Sequence, residues 1–209
     1  RALEDARDEA EAAANIISGH TLRMKEREKK AAAAADERVK LTMDTGALDS
    51  RIRLLTEMEK DYEGFNKAVK LVCQAKGELR GIHGPVASLI KTESRYSLAI
   101  EIALGAGLQN IVVDREEDAK SAIAFLKRRD GGRATFLPLT AIHGEELREN
   151  GVEREFGFVG VASRLVCFDP KYTQIFNNLL GRTVIAEDLD CGIAMARKYR
   201  NAFRIVTLD

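Results

Sequence analysis

Proline is scarce in this chain, and its distribution is informative. Three prolines occur in 209 residues and none in the first sixty, where there are only two glycines, Gly19 and Gly46, amid abundant Ala, Glu, Lys and Arg. Cysteine is equally sparse. Cys73, Cys167 and Cys191 are odd in number and far apart, which excludes a disulfide framework and leads us to expect reduced thiols. No apolar run approaches the roughly 18 residues of a membrane span. The opening RALEDARDEAEAAA lacks the basic start and apolar stretch of a signal peptide, so a soluble, cytoplasmic chain with no membrane partner is expected. Net charge is missing too, with 33 Lys+Arg against 33 Asp+Glu. Residues 1–65 carry 12 basic against 15 acidic side chains and residues 66–209 carry 21 against 18, so neither part declares a polyanionic partner by charge alone. Catalytic signatures are absent as well. There is no Gly-x-x-x-x-Gly-Lys-Ser/Thr loop and no Gly-x-Ser-x-Gly elbow, and His20, His83 and His143 have no His or Cys neighbour at ligand spacing. The expectation is a non-enzyme without metal or cofactor.

What is present falls into two parts. Stepping alternately by three and four residues from Leu3 to Tyr62 visits eighteen positions, of which thirteen are apolar. A seam sustained over nine heptads reads as one strand of a coiled coil, which requires a partner helix. The segment TMDTGALDS (42–50), with Asp44 as a potential cap before Gly46, predicts a break or stutter. Beyond Tyr62, glycines become frequent and short β-branched runs alternate with helical stretches: LQNIVV (108–113), RATFLPL (133–139), GVASRLV (160–166), RTVIAED (182–188) and FRIVTLD (203–209). This predicts a mixed α/β unit.

That unit contains an internal echo. Val86-Ala87-Ser88 answers Val161-Ala162-Ser163. Tyr96 stands nine residues before Gly105 as Tyr172 stands nine before Gly181, each interval reading as a helix closed by Leu-Gly. In both copies an apolar strand, an acidic turn, an Ala-containing helix and a last strand follow. The chain therefore divides into a coiled-coil arm (1–62) and two pseudo-repeated α/β subdomains (63–144 and 145–209), joined through HGEELRENGVEREFGF (143–158).

Two groups of residues are candidates for function. Gly105-Ala106-Gly107 follows a helix and precedes a strand, the reverse of a dinucleotide fingerprint, and the third glycine is replaced by Asn110. A helix C-terminus repels phosphate, so these glycines read as a helix stop that admits close backbone packing. Sheet edges in such a domain are templates for pairing with another chain. Gly105, Gly107, Leu108 and Asn110, with Gly181 at the analogous corner, are accordingly the expected dimer-interface residues. The second group is the basic cluster Lys127, Arg128, Arg129 and Arg133 around a Gly-Gly turn, echoed by Arg197, Lys198, Arg200 and Arg204. These cations either cap helix ends or form a groove for a phosphate backbone, with salt-sensitive, sequence-independent DNA binding. Aromatic residues amount to only 6%, and Phe125, Phe136, Tyr199 and Phe203 near the clusters read as core, so base-specific reading is not indicated.

A resemblance joins these observations. LLTEMEKDYEGFNKAVK (54–70), GIHGPVASLI (81–90), YSLAIEIALGAGLQNIVV (96–113), GRATFLPL (132–139), FDPKY (168–172), LLGRTVIAEDLD (179–190) and FRIVTLD (203–209) together resemble the hinge domain of structural maintenance of chromosomes (SMC) proteins, most like the bacterial form. The resemblance covers about residues 54–209, with the coiled-coil strand where that family has its arm. It implies a homodimerisation module, with sheets meeting across the interface, and an antiparallel arm leading to an ATPase head that this chain does not contain. It also implies DNA contact and a cytoplasmic, nucleoid-associated setting. In the family, the last strand is followed by a glycine-rich segment and the returning arm helix, and this sequence stops at Asp209. The rival reading is a ligand-sensing α/β domain on a signalling coiled coil, which requires a pocket with converging polar groups.

Overall fold

The computed structural model describes residues 2–209, and the chain divides into two compact units, residues 1–59 and 60–209. The first is a single helix, α1 (Ala2–Lys60), of 59 residues, about 90 Å long at 1.5 Å per residue. None of its described residues is buried, and the apolar seam lies open, with Leu3 81% and Ile17 66% exposed. The break expected at 42–50 does not occur. Asp44 caps nothing there, because the helix runs through it. Thr42, Thr45 and Ser50 donate their hydroxyls to the carbonyls of Arg38, Leu41 and Gly46, four residues back, as Ser and Thr do within a continuous helix. Gly46 costs only about 1 kcal/mol relative to alanine, too little to interrupt so long a run.

In the second unit the elements are α2 (Lys67–Gln74), β1 (Ile82–Pro85), β2 (Lys91–Thr92), α3 (Ser97–Leu104), β3 (Ile111–Val113), α4 (Glu116–Arg128) and β4 (Phe136–Pro138). They continue with β5 (Phe158–Val161), β6 (Val166–Cys167), α5 (Thr173–Leu180), β7 (Thr183–Ala186), α6 (Leu189–Lys198) and β8 (Arg204–Thr207). The echo in sequence is an echo in topology. One sheet has the order β1-β3-β4 and the other β5-β7-β8, each with a middle strand that is antiparallel to the first and parallel to the last. Each parallel pair is joined through a helix, α4 or α6, as parallel strands require. A register irregularity recurs at the same place, between Ile82 and Gly84 and between Phe158 and Gly160. β1 was hidden in the sequence by its Gly-Pro pair, which edge strands tolerate. The predicted strand 160–166 divides instead into β5, a single helical turn at Ala162–Arg164, and β6.

The middle strands explain why their sequences are apolar at every position. On β3, Ile111 and Val113 face a core made with Ala68, Val69, Val72 and Leu126, while Val112 faces the opposite way. On β7, Val184 and Ala186 join Val152, Met195 and Phe203, and Ile185 faces away from them. Val112 and Ile185 meet in a third core, shared by both halves, with Tyr96, Ile100 and Leu104 from one side and Tyr172, Ile175, Phe176 and Leu180 from the other. Buried on both faces, β3 and β7 have no polar side to show. β2 and β6 pair with each other, Lys91 opposite Cys167 and Thr92 opposite Val166, as a small ribbon between the halves.

Candidate functional site

The glycines of the α3–β3 turn and their counterpart after α5 are used differently. Gly105 caps α3 at φ 49° and ψ −126°, a conformation closed to residues with a Cβ, yet an added Cβ would touch nothing within 4 Å. Within the chain it is therefore conformation, rather than close packing, that requires glycine there. Gly181 has helical dihedrals, φ −63° and ψ −23°, but a Cβ there would collide with the Glu145 carbonyl oxygen. That is the close backbone approach expected of Gly105, found in the other copy. At Gly107 a Cβ would sit in ordinary contact, 3.7 Å from Leu179. Leu108 is half-buried against the shared core. Asn110 lines a cavity of about 420 Å³ with Asn66, Ala106, Gln109, Arg133 and Thr135. β3 is not an edge, since β1 and β4 occupy both its sides, so the free edges of the two sheets belong to β1, β4, β5 and β8.

The helices α3 and α5 correspond residue for residue, and their outer faces differ. Leu98 and Ile102 of α3 are 61% and 56% exposed. The corresponding Gln174 and Asn178 of α5 hold the segment joining the halves: Gln174 Oε1 accepts from Gly144 N at 3.0 Å, and Asn178 Nδ2 donates to His143 O at 3.0 Å. Gly144 lies so close that a Cβ would collide with the backbone nitrogen of Asn178. One helix binds a length of backbone there, and the other presents two bare apolar side chains. Periodicity alone does not find this; aligning the two copies in sequence does.

The basic residues sit at the C-terminus of α4 and on the turn after it, all four exposed. Lys127 and Arg133 line a cavity of about 500 Å³ with Ile123, Leu126, Asp130 and Ala134. Arg128 does not line it, and Arg129 places its guanidinium over the Phe125 ring at 4.7 Å. Among the described residues none of the four makes an ion pair. Arg133 borders both this cavity and the one at Asn110, and so links the two groups picked out from sequence.

The second basic cluster is held differently. Lys198 Nζ lies 2.5 Å from Glu155 Oε1, which also accepts from the Tyr199 hydroxyl at 2.9 Å. Arg182 Nη2 lies 2.6 Å from Glu149 Oε1 and donates to Ala202 O. The bond from Lys198, then that from Tyr199, keeps the Glu155 carboxyl below the usual range, and Arg182 does the same for Glu149. Glu146 and Glu153 pair with Arg164 at 2.9 and 3.2 Å. All four carboxylates belong to the segment between the halves.

A contact across the halves was invisible in sequence. His83 Nε2 lies 2.8 Å from Asp114 Oδ1, and its Nδ1 lies 2.9 Å from the Tyr172 hydroxyl, 89 residues away. All three groups are satisfied with the proton on Nε2, donated to Asp114, and with Tyr172 donating to Nδ1. Cys73 and Cys191 are buried and Cys167 is exposed; burial pushes the Cys73 thiol up to about 11, which keeps it protonated and unreactive. Among the described residues no group of three or more His, Cys, Asp or Glu gathers as a metal site, and no helix is long and apolar enough to cross a membrane.

Comparison with known proteins agrees with this architecture. The family described as the SMC proteins flexible hinge domain matches residues 79–196. The chromosome partition protein Smc of Bacillus subtilis is 46% identical over 163 residues, covering 77% of this chain and 14% of that protein. The chain thus spans about one seventh of that relative's length. Among solved structures, an asymmetric dimer of the Geobacillus stearothermophilus SMC hinge domain is 41% identical with a TM-score of 0.73, over 77% of this chain and 67% of that one. The Pyrococcus furiosus Smc hinge domain with an extended coiled coil is 29% identical with a TM-score of 0.59, over 98% of this chain and 72% of that one. With two three-stranded sheets repeating one topology about a shared core, and a long helix leading in, this chain belongs to the SMC flexible hinge domain family.

Proposed function

We propose that this chain is the dimerisation hinge of an SMC chromosome-partition protein. Two copies associate through the hinge unit, each carries one strand of a coiled-coil arm, and the cluster at Lys127, Arg128, Arg129 and Arg133 contacts DNA through its phosphates with little sequence preference. No reaction is carried out and no cofactor is needed within these 209 residues; ATP hydrolysis belongs to a head domain elsewhere in the longer protein. Gly105, Gly107, Leu108 and Asn110 belong to or border the self-association surface, while Gly181 marks the analogous corner that the chain's own Glu145 backbone covers, and the sheet edges β1, β4, β5 and β8 are the strands from which sheets can meet.

One observation carries the dimer reading: α3 exposes Leu98 and Ile102 at the two positions where α5 holds chain with Gln174 and Asn178. An apolar pair one helical turn apart, on a helix already anchored in the core, is suited to burial against a second copy. That the 41% identical Geobacillus hinge is a dimer supports the same reading. Leu98→Gln with Ile102→Asn gives α3 the residues of α5. In sedimentation equilibrium the wild-type chain is expected to dimerise and the double variant to do so at least about tenfold more weakly, the equivalent of about 1.4 kcal/mol. A wild-type chain that stays monomeric at all concentrations overturns the dimer reading.

A further inference from the structure

The two halves carry basic clusters at corresponding places, but only the second has carboxylates paired with some of its cations. On the second half, five cations lie on or beside the turn after α6. Arg197 and Lys198 end the helix, and Arg200 lies in the turn. Arg204 N donates to Arg182 O at 3.0 Å, and the Arg182 side chain reaches Ala202 O at 2.7 Å. Two of the five, Arg182 and Lys198, have their donors directed at carboxylates, Glu149 and Glu155. These glutamates come from the segment between the halves, whose residues 143–157 hold five Glu against two Arg. The segment is fixed beside the cluster by its own core residue, since Val152 is fully buried with Met195 and Phe203. The first half has no counterpart to this acidic strap, and Lys127, Arg128, Arg129 and Arg133 make no ion pairs among the described residues.

A carboxylate and a phosphate make the same demand on a guanidinium or ammonium group: charged oxygens at hydrogen-bond distance. We propose that Arg182, Arg197, Lys198, Arg200 and Arg204 form a second, latent site for a nucleic-acid phosphate backbone. In it, Glu149 and Glu155 take the places of phosphates, so that binding is confined to the first half. This rests on the proposed DNA contact only in assigning the bare cluster as the working site; the latent site has its own residues and its own test.

The test is fluorescence anisotropy with labelled single- and double-stranded oligonucleotides between 50 and 200 mM salt. The proteins are the wild-type chain, Glu149→Gln/Glu155→Gln, the charge reversal of Lys127, Arg128, Arg129 and Arg133 to Glu, and the two sets combined. Glutamine preserves acceptor oxygens for Arg182, Lys198 and Tyr199, and Val152 keeps the strap seated. The double glutamine variant is expected to bind more tightly at 50 mM salt and to lose about threefold more affinity between 50 and 200 mM for each additional phosphate bound, with a log–log salt slope steeper by about 0.7 to 1.8 for one or two phosphates. In the charge-reversed background it is expected to restore binding, and adding Arg197→Glu/Arg200→Glu is expected to remove what was restored. The same loss of charge on α1, Glu57→Gln/Glu59→Gln, is expected to change little. Unchanged affinity of the glutamine variant in both backgrounds, or equal tightening by the α1 control, overturns the latent site. If charge reversal leaves wild-type binding intact while the glutamine variant still tightens, the first-half assignment fails and the latent site stands. If no protein binds, both fail.

Discussion

At the scale of single residues, three glycines that read alike in sequence are required for different reasons. Gly105 is fixed by its dihedrals, Gly181 by the carbonyl of Glu145, and Gly107 by neither. This separates folding from association experimentally. Gly105→Ala forces a side chain into a conformation that costs about 1–3 kcal/mol, and Gly181→Ala crowds backbone in a packed site at a similar cost of about 1–3 kcal/mol. Gly107→Ala meets only van der Waals contacts and is expected to leave the thermal midpoint within about 2 °C of wild type, corresponding to less than about 0.5 kcal/mol. Thermal unfolding monitored by circular dichroism checks the order, with Gly107→Ala the mildest of the three. With the fold of that variant expected to be unchanged, any loss of self-association by it reports on the interface itself.

At the scale of elements, the strap between the halves is held by charge as well as by its core residue. Glu149 and Glu155 have carboxyl pKa values lowered in the folded chain by Arg182 and Lys198. A depressed carboxyl pKa contributes stability that is fully present above the unfolded value, near pH 4.3 for glutamate, and is lost as pH falls through the folded value. The wild-type chain is therefore expected to melt above Glu149→Gln/Glu155→Gln at neutral pH. The gap should close as pH drops below about 4.3, and melting curves across pH 3–7 measure it. A gap that is independent of pH would show that the ion pairs do not stabilise the strap. The helix α1 carries a different lesson at this scale. Its heptad seam was legible, and the expected interruption did not occur, because a single glycine costs only about 1 kcal/mol in so long a helix.

At the scale of the hinge unit, the two halves are repeats in sequence and topology but not in independence. Phe176 is fully buried in the shared core and stacks on Phe168 with ring centroids 4.4 Å apart. Phe176→Ala is expected to cost about 3–5 kcal/mol and to lower the melting of both halves together. Tyr62 and Phe203, which lie in or against the separate cores of the first and second halves, offer local fluorescence or NMR probes. Two separated transitions in the variant would show that the halves fold on their own. The His83 contacts to Asp114 and Tyr172 add a polar tie across the same boundary.

Much of this was legible in the linear sequence because it depends on local periodicity. The 3.5-residue seam, the helices ending at Leu104 and Leu180, the acidic start of α4 at Glu116 and the apolar strands at 111–113 and 183–186 all follow from neighbours a few residues apart. β1 was not legible, because Gly84 and Pro85 carry turn chemistry and only the antiparallel partner β3 makes them a strand. Lys127 and Arg133, grouped in sequence by their spacing around a tight turn, line one cavity. Their difference from Lys198 was not legible, since whether a cation is free depends on carboxylates 43 residues away.

By itself, then, the sequence determined the long helix, the repeated α/β unit and the family, since each rests on short-range pattern and on motifs in order. Tertiary structure alone decided that β3 is central rather than an edge, that one basic cluster has no carboxylate partner while two cations beside its twin are paired with glutamates, and that α3 is bare where α5 holds the strap. The reason is physical. Hydrogen bonds, ion pairs and burial depend on distance in space, and two copies of one pattern acquire different partners once a single connecting segment can cover only one of them.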